Sequence, residues 1–171
     1  MSQMISQSFL PEFDMEMAST RKLLALVPES APEFRPHPKS MTLARLAGHV
    51  AEMPMWAVMT LGQDELDMRP NGTRVADAYT FTTQAAALAL FDAHVAKSRA
   101  LLAAASDADM MRVWSLKDNG KTLLAMPKVA VMRGFVMNHM IHHRAQLGVY
   151  LRMNDVPLPG IYGGSADSPG M

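Results

Sequence analysis

Cysteine is absent from the chain. Its absence removes disulfides and thiolate zinc sites, so any bound metal must rest on histidine, carboxylate or water. An excess of either charge is also missing: Lys+Arg and Asp+Glu number 16 each, and the formal net charge is zero. A nucleic-acid or anionic-membrane surface would show as a basic excess, so neither partner is expected. No apolar run approaches the roughly 20 residues needed to span a bilayer. The opening Met1-Ser-Gln-Met-Ile-Ser-Gln has no basic stretch leading into an apolar one, so no signal peptide is expected. These absences point to a soluble protein in a reducing, cytoplasmic setting. A length of 171 residues fits one domain with a real core.

Methionine, by contrast, is abundant at 17 residues. The methionines are scattered, with only local pairs, which suits irregular packing rather than soft copper(I) ligation. Taken in order, the chain divides into long apolar-periodic segments. A first helix is expected from about Phe9 to Val27, on a stripe of Phe13, Met17, Leu24 and Val27, closed by Pro28. Four prolines between Pro28 and Ser40 predict an extended linker, with His37 solvated in it. Ser40 or Thr42 can cap a second helix whose stripe is Leu43, Leu46, Val50, Met53 and Ala57. His49 falls on the edge of that stripe beside Trp56 and Thr60, and Pro54 predicts a kink one turn later. Leu61 to Thr80 reads as polar and turn-rich. Thr82 or Thr83 can cap a third helix through about Ala105, with His94 at its boundary. Asp118-Asn-Gly120 between two short runs predicts a β-hairpin. The last helix is expected from about Lys128 to Asn154, and an irregular tail should pack across the helices or order at an interface. No repeat or second domain is seen.

The last helix carries the chemistry. Its segment Gly134-Phe-Val-Met-Asn-His139-Met-Ile-His142-His143-Arg-Ala-Gln146 holds three of the six histidines within five residues. At 100° per residue, Phe135, His139, His142, Gln146, Tyr150 and Met153 share one face, with His143 on its flank one turn above His139. Arg133 and Arg144 fall opposite, as a solvated face should. An inward stripe is ordinarily aliphatic, and burying imidazole without a partner costs a few kcal/mol. A metal ion would compensate, because two imidazoles at i and i+4 can aim at one point. A third ligand must come from elsewhere, and His49 and His94 are the candidates. Four long amphipathic segments read as a four-helix bundle, in which ligands project inward from facing helices. No protein nucleophile is evident. Glu52, three residues after His49, projects further out of the face and is given no general-base role.

Two blocks resemble a known family. Phe34-Arg-Pro-His-Pro-Lys-Ser-Met-Thr-Leu-Ala-Arg-Leu-Ala-Gly-His49 looks like the first signature of the DinB-like (DinB/YfiT) metalloproteins, and Asn138-His139-Met-Ile-His142-His143-Arg-Ala-Gln146 looks like the second. The resemblance implies an all-α, up-down four-helix bundle with a small β-hairpin insertion before the last helix, over the single domain 1–171. It implies a homodimer, to which the 49% of hydrophobic residues adds weakly. It implies one divalent transition metal ion, zinc or nickel, on His49, His139 and His143, selecting His49 over His94. His142 and Gln146 would stand beside the ligands, in the pocket or on a ligand ring. The family includes transferases and isomerases that use low-molecular-weight thiols. The expected activity is therefore transfer of such a thiol to an electrophilic small molecule. The alternative is a non-enzymatic, stress-associated metal-binding protein.

Overall fold

The computed structural model describes residues 2–168. They are mostly helical, with one small sheet. Helix α1 spans Met4–Leu24, five residues earlier than Phe9. The Ile5 amide donates to Asp107 Oδ1 at 2.9 Å and Ser6 Oγ to the Ala105 carbonyl at 3.0 Å. Groups about a hundred positions away thus satisfy the first turn, which no local pattern reveals. Helix α2, Leu43–Glu52, starts at the Thr42 cap, whose hydroxyl accepts the Arg45 amide. The proline-rich linker helps, because the Phe34 and Pro32 carbonyls accept the Leu43 and Ala44 amides. The expected break at Pro54 is present: Met53 separates α2 from α3, Pro54–Gly62, which has proline in its first turn.

Thr83 caps α4, Gln84–Ala104. A short α5, Asp107–Met111, follows with a capping box between Ser106 and Asp109. The hairpin forms as β2, Val113–Asp118, and β3, Lys121–Pro127. Its turn places Asn119 at φ 50° and Gly120 at φ 77°, the conformation that Asn-Gly supplies. Between Leu61 and Thr80, however, the chain also contributes a strand that the polar reading missed. Strand β1, Glu65–Asp67, pairs parallel with Ser115–Lys117 of β2, giving the order β1-β2-β3. Three residues are too few for an alternation to show. The strand is fixed by distant partners, chiefly the Asp67 carboxylate accepting the Asn119 and Gly120 amides.

The last helix is continuous from α6, Lys128–Ala130, through a π-helical stretch, Val131–Met137, to α7, Asn138–Met153. Long-range contacts give the directions. Arg21 pairs with Asp92 and Arg99 with Asp14, so α1 and α4 are antiparallel. Arg133 pairs with Glu12 and Arg144 with Glu16, so α1 and the last helix are parallel. The Phe81 amide reaches the Ala44 carbonyl and Ser98 the Pro54 carbonyl, so α2–α3 and α4 run the same way. A strict up-down order is therefore corrected to up-down-down-up. The long connection 63–83, which takes in β1, carries the chain back to the starting end and makes the parallel pair possible.

The core lies between α1, α2, α4 and α7, with Phe9, Phe13, Leu46, Val50, Phe91 and Leu147 all buried. Each such side chain contributes on the order of 1.5–3 kcal/mol. Helix α7 corrects the sequence reading of its faces. Arg144, placed on a solvated side, is 3% exposed and pairs with the equally buried Glu16 of α1 at 2.6 Å. The buried residues are Met140, Arg144, Leu147, Tyr150 and Leu151, so Tyr150 is inward as expected, while His142 and Gln146 are exposed and Met153 is 52% exposed. The helix touches α1 on one side and α2 on the other, so its buried arc is wider than one stripe. The π-helical stretch ahead of it also breaks the constant 100° step on which the stripe was drawn. The tail packs across the helices: Leu158 and Ile161 meet the core, and the Tyr162 hydroxyl reaches Glu16 and Arg144. No helix of the described residues is long and apolar enough to cross a membrane.

Candidate metal centre

His49 sits near the end of α2, just before the helix breaks, and faces α7, where His139 and His143 stand one turn apart. The antiparallel packing of α2 on α7 brings the three rings together. Ring centroids are 5.2 Å apart for His49 and His139, 4.6 Å for His49 and His143, and 4.7 Å for His139 and His143. One ligand atom from each lies within 4.8 Å of the others. His94 stays on α4, outside this group, with its Nδ1 buried and without a partner among the described residues.

The outer nitrogens are held. His49 Nδ1 faces Glu52 Oε1 at 3.1 Å, and His143 Nδ1 faces Gln146 Oε1 at 2.8 Å. An ionised carboxylate only accepts hydrogen bonds, so His49 donates from Nδ1 and turns Nε2 towards the cluster. That Nε2 lies 3.4 Å from His139 Nε2. The same logic at Gln146 turns His143 Nε2 inward. A ring proton fixed outward and a lone pair fixed inward is how proteins orient imidazole for a metal.

Electrostatics agree. Burial lowers the His143 pKa to about 4; Gln146 opposes the shift, and His49 and His139 add to it. Burial likewise lowers His139, His49 lowers it further, and the Phe135 carbonyl opposes. Both rings are therefore neutral at pH 7, with lone pairs free to bind a cation. Burial would raise the Glu52 carboxyl, but hydrogen bonds from His49 and the Tyr79 amide, with the Arg45 charge, hold it below its usual range. The donor set, three imidazoles without sulfur, fits a divalent transition-metal ion.

A pH effect follows. As pH falls below 6.5, the ordinary histidine value, the unfolded chain takes up a proton that folded His143 accepts only near pH 4. Stability of the metal-free protein should therefore be full above that window and decline as pH falls through it. Urea unfolding midpoints measured from pH 7 to pH 4 should show this decline, with a shallower one for His143→Leu. A midpoint that held constant across the window would contradict the reading.

Of the residues singled out from sequence, His49, His139 and His143 come together. His142 is exposed on α7, its ring 5.0 Å from that of His143. Gln146 touches His143 directly. Glu52 was undervalued: its side chain is 12% exposed and meets His49. Its i,i+3 spacing from His49 was the available signal. Trp56 and Phe135 pack edge-to-face at 5.2 Å, and Phe135 lies 5.7 Å from His139. They form an aromatic wall beside the cluster.

Comparison with known proteins supplies the remaining context. A sequence model described as the DinB superfamily matches residues 12–147. A DinB-like protein from Bacillus cereus ATCC 10987 shares the fold with a TM-score of 0.70 at 22% identity, over 91% of this chain and 97% of that one. A DinB-like protein from Bacillus subtilis, YjoA, superposes with a TM-score of 0.65 at 16% identity, over 88% of this chain and 96% of that one. No curated protein matches.

Proposed function

The chain belongs to the DinB superfamily, and from that premise we propose that it is a metal-dependent transferase of a low-molecular-weight thiol to an electrophilic small molecule. His49, His139 and His143 would hold one divalent ion, zinc or nickel, on a four-helix bundle, and a second copy of the chain is its expected partner. The observation that carries the reading is the convergence of three imidazoles on one point, two of them tethered outward by Glu52 and Gln146. When bound, the ion would lower the pKa of a ligating thiol or water and so favour the nucleophilic form.

The residues of the chain do the rest. Glu52 and Gln146 hold two rings in the tautomer that presents Nε2. Trp56 and Phe135 offer an apolar surface beside His139, suited to the carbon skeleton of an electrophile and to excluding water from it. His142, exposed next to His143, stands where it can meet a polar group of the thiol. In the reaction a carbon–sulfur bond forms, a carbon–halogen or epoxide carbon–oxygen bond breaks, and the thiol proton passes to solvent or to the opened oxygen. The chain contributes no sulfur, consistent with its lack of cysteine.

The test is a panel of cellular thiols offered with a generic electrophile to zinc- or nickel-loaded protein, following the conjugate. Conjugation that depends on metal and disappears in His139→Ala is expected. Protein that binds metal yet neither binds nor conjugates any common thiol would overturn the transferase. It would leave a metal-binding protein without this activity.

A further inference from the structure

The connection 63–83 is anchored on the sheet by β1 and again, at its far end, on α2. Between those anchors, residues 69–78 are all exposed. A stretch with so little burial has almost no stability of its own, so its anchors decide whether it is ordered. The α2 anchor is built around the residue before His49. Gly48 has no side chain, and a Cβ there would stand 2.5 Å from the Tyr79 oxygen, 2.8 Å from the Phe81 nitrogen and 2.9 Å from Thr80 Cα. The backbone of Tyr79–Phe81 therefore lies directly on the helix.

Three polar contacts hold it there. The Phe81 amide donates to the Ala44 carbonyl at 3.1 Å. Arg45 donates to the Tyr79 carbonyl at 3.2 Å, and the Tyr79 amide donates to Glu52 Oε2 at 2.8 Å. The other oxygen of that carboxylate, Oε1, accepts from Arg45 at 3.3 Å and meets His49 Nδ1 at 3.1 Å. One carboxylate thus has one oxygen on a loop amide and the other on a histidine of the cluster.

We infer that Glu52 is a positioning residue that couples occupation of the metal centre to docking of the 63–83 connection on α2. The inference rests on the three-histidine reading given above. A cation on Nε2 draws electron density from the ring and makes Nδ1–H a stronger donor. The bond to Oε1 then tightens and fixes the carboxylate plane, which presents Oε2 to the Tyr79 amide. Coupling of this kind is reciprocal: a docked connection must raise metal affinity by the factor by which metal favours docking. The connection is then a segment that reports, and is ordered by, the state of the centre.

The experiment uses the whole chain and zinc(II) alone, reading amide hydrogen exchange at Tyr79 and Phe81 and zinc affinity by chelator competition. In the unaltered protein, zinc should slow exchange at both amides by about 10-fold or more. Glu52→Ala should weaken zinc by roughly 10–100-fold, the range for losing an outer-sphere partner. At saturating zinc it should show no added protection of the two amides. Gln146→Ala, which removes the support of His143 instead, should weaken zinc similarly and still gain the protection. Glu52→Gln, equal in size, is the substitute if the alanine chain does not fold, and it too should lose the zinc-dependent protection. Zinc binding with unchanged exchange at Tyr79 and Phe81, or protection retained in both Glu52 variants, would overturn the coupling alone. Failure of the unaltered protein to bind zinc would overturn the metal centre and this inference with it.

Discussion

Alanine at His139 or His143 is expected to abolish stoichiometric binding of a divalent ion, while alanine at His142 leaves it intact. The three rings differ in orientation, not in chemistry. His139 and His143 are four residues apart on one side of α7 and turn towards His49, with all three ligand atoms within 4.8 Å. His142 is exposed and only flanks His143. Removing a ligand leaves two nitrogens, too few to hold an ion against water, so the loss should exceed the 10–100-fold typical of an outer-sphere change. Elemental analysis after dialysis, with chelator competition for the residual affinity, reads the result. Full metal content in His139→Ala and His143→Ala would refute the assignment, and loss in His142→Ala would make that ring a ligand.

The largest effect on stability is expected away from the site. Arg144→Ala should destabilise the protein by about 3–5 kcal/mol, because it strands a buried carboxylate. Glu16 and Arg144 are each 3% exposed. Arg144 also donates to the Glu16 carbonyl and Thr20 Oγ1, and Tyr162 donates to the Glu16 carboxylate. For a chain of this size that cost lowers the melting temperature by roughly 6–20 °C. Glu16→Gln combined with Arg144→Met removes both charges and should recover much of the loss, because a neutral pair carries no unpaired buried charge. Thermal unfolding of Glu16→Gln, Arg144→Met and the double closes the cycle. Single changes that cost less than about 1 kcal/mol would show that the pair is hydrated rather than buried.

These two results also mark what a sequence discloses. Part of the histidine cluster was legible because it is local: His139 and His143 lie on one helix, whereas a caps-and-stripe reading places His49 and His94 alike on helix edges, and the family resemblance selects His49. Thr42, Thr83, Pro54 and Asn119-Gly120 act where their chemistry says they should. Arg144 was misread because its partner lies on α1, 128 residues away; taken alone, a charged residue reads as solvated. The same cause hid the true start of α1, held by Asp107, and strand β1, held by the hairpin. Parallel α2–α3 and α4 follow from the path of a connection whose composition only says that it is not helical. Glu52 needed the loop as well as the helix, since half of its carboxylate serves each.

The most direct measurement of the central claim is X-ray absorption at the metal edge of dialysed, zinc-loaded protein, with and without an added thiol. The account predicts one ion per chain, three imidazole rings in its scattering, a remaining light-atom ligand from solvent and no sulfur. Addition of the cosubstrate thiol should replace the solvent ligand by sulfur at about 2.3 Å. An ion bound by fewer than two imidazoles, or a centre already closed by four protein ligands, would contradict it.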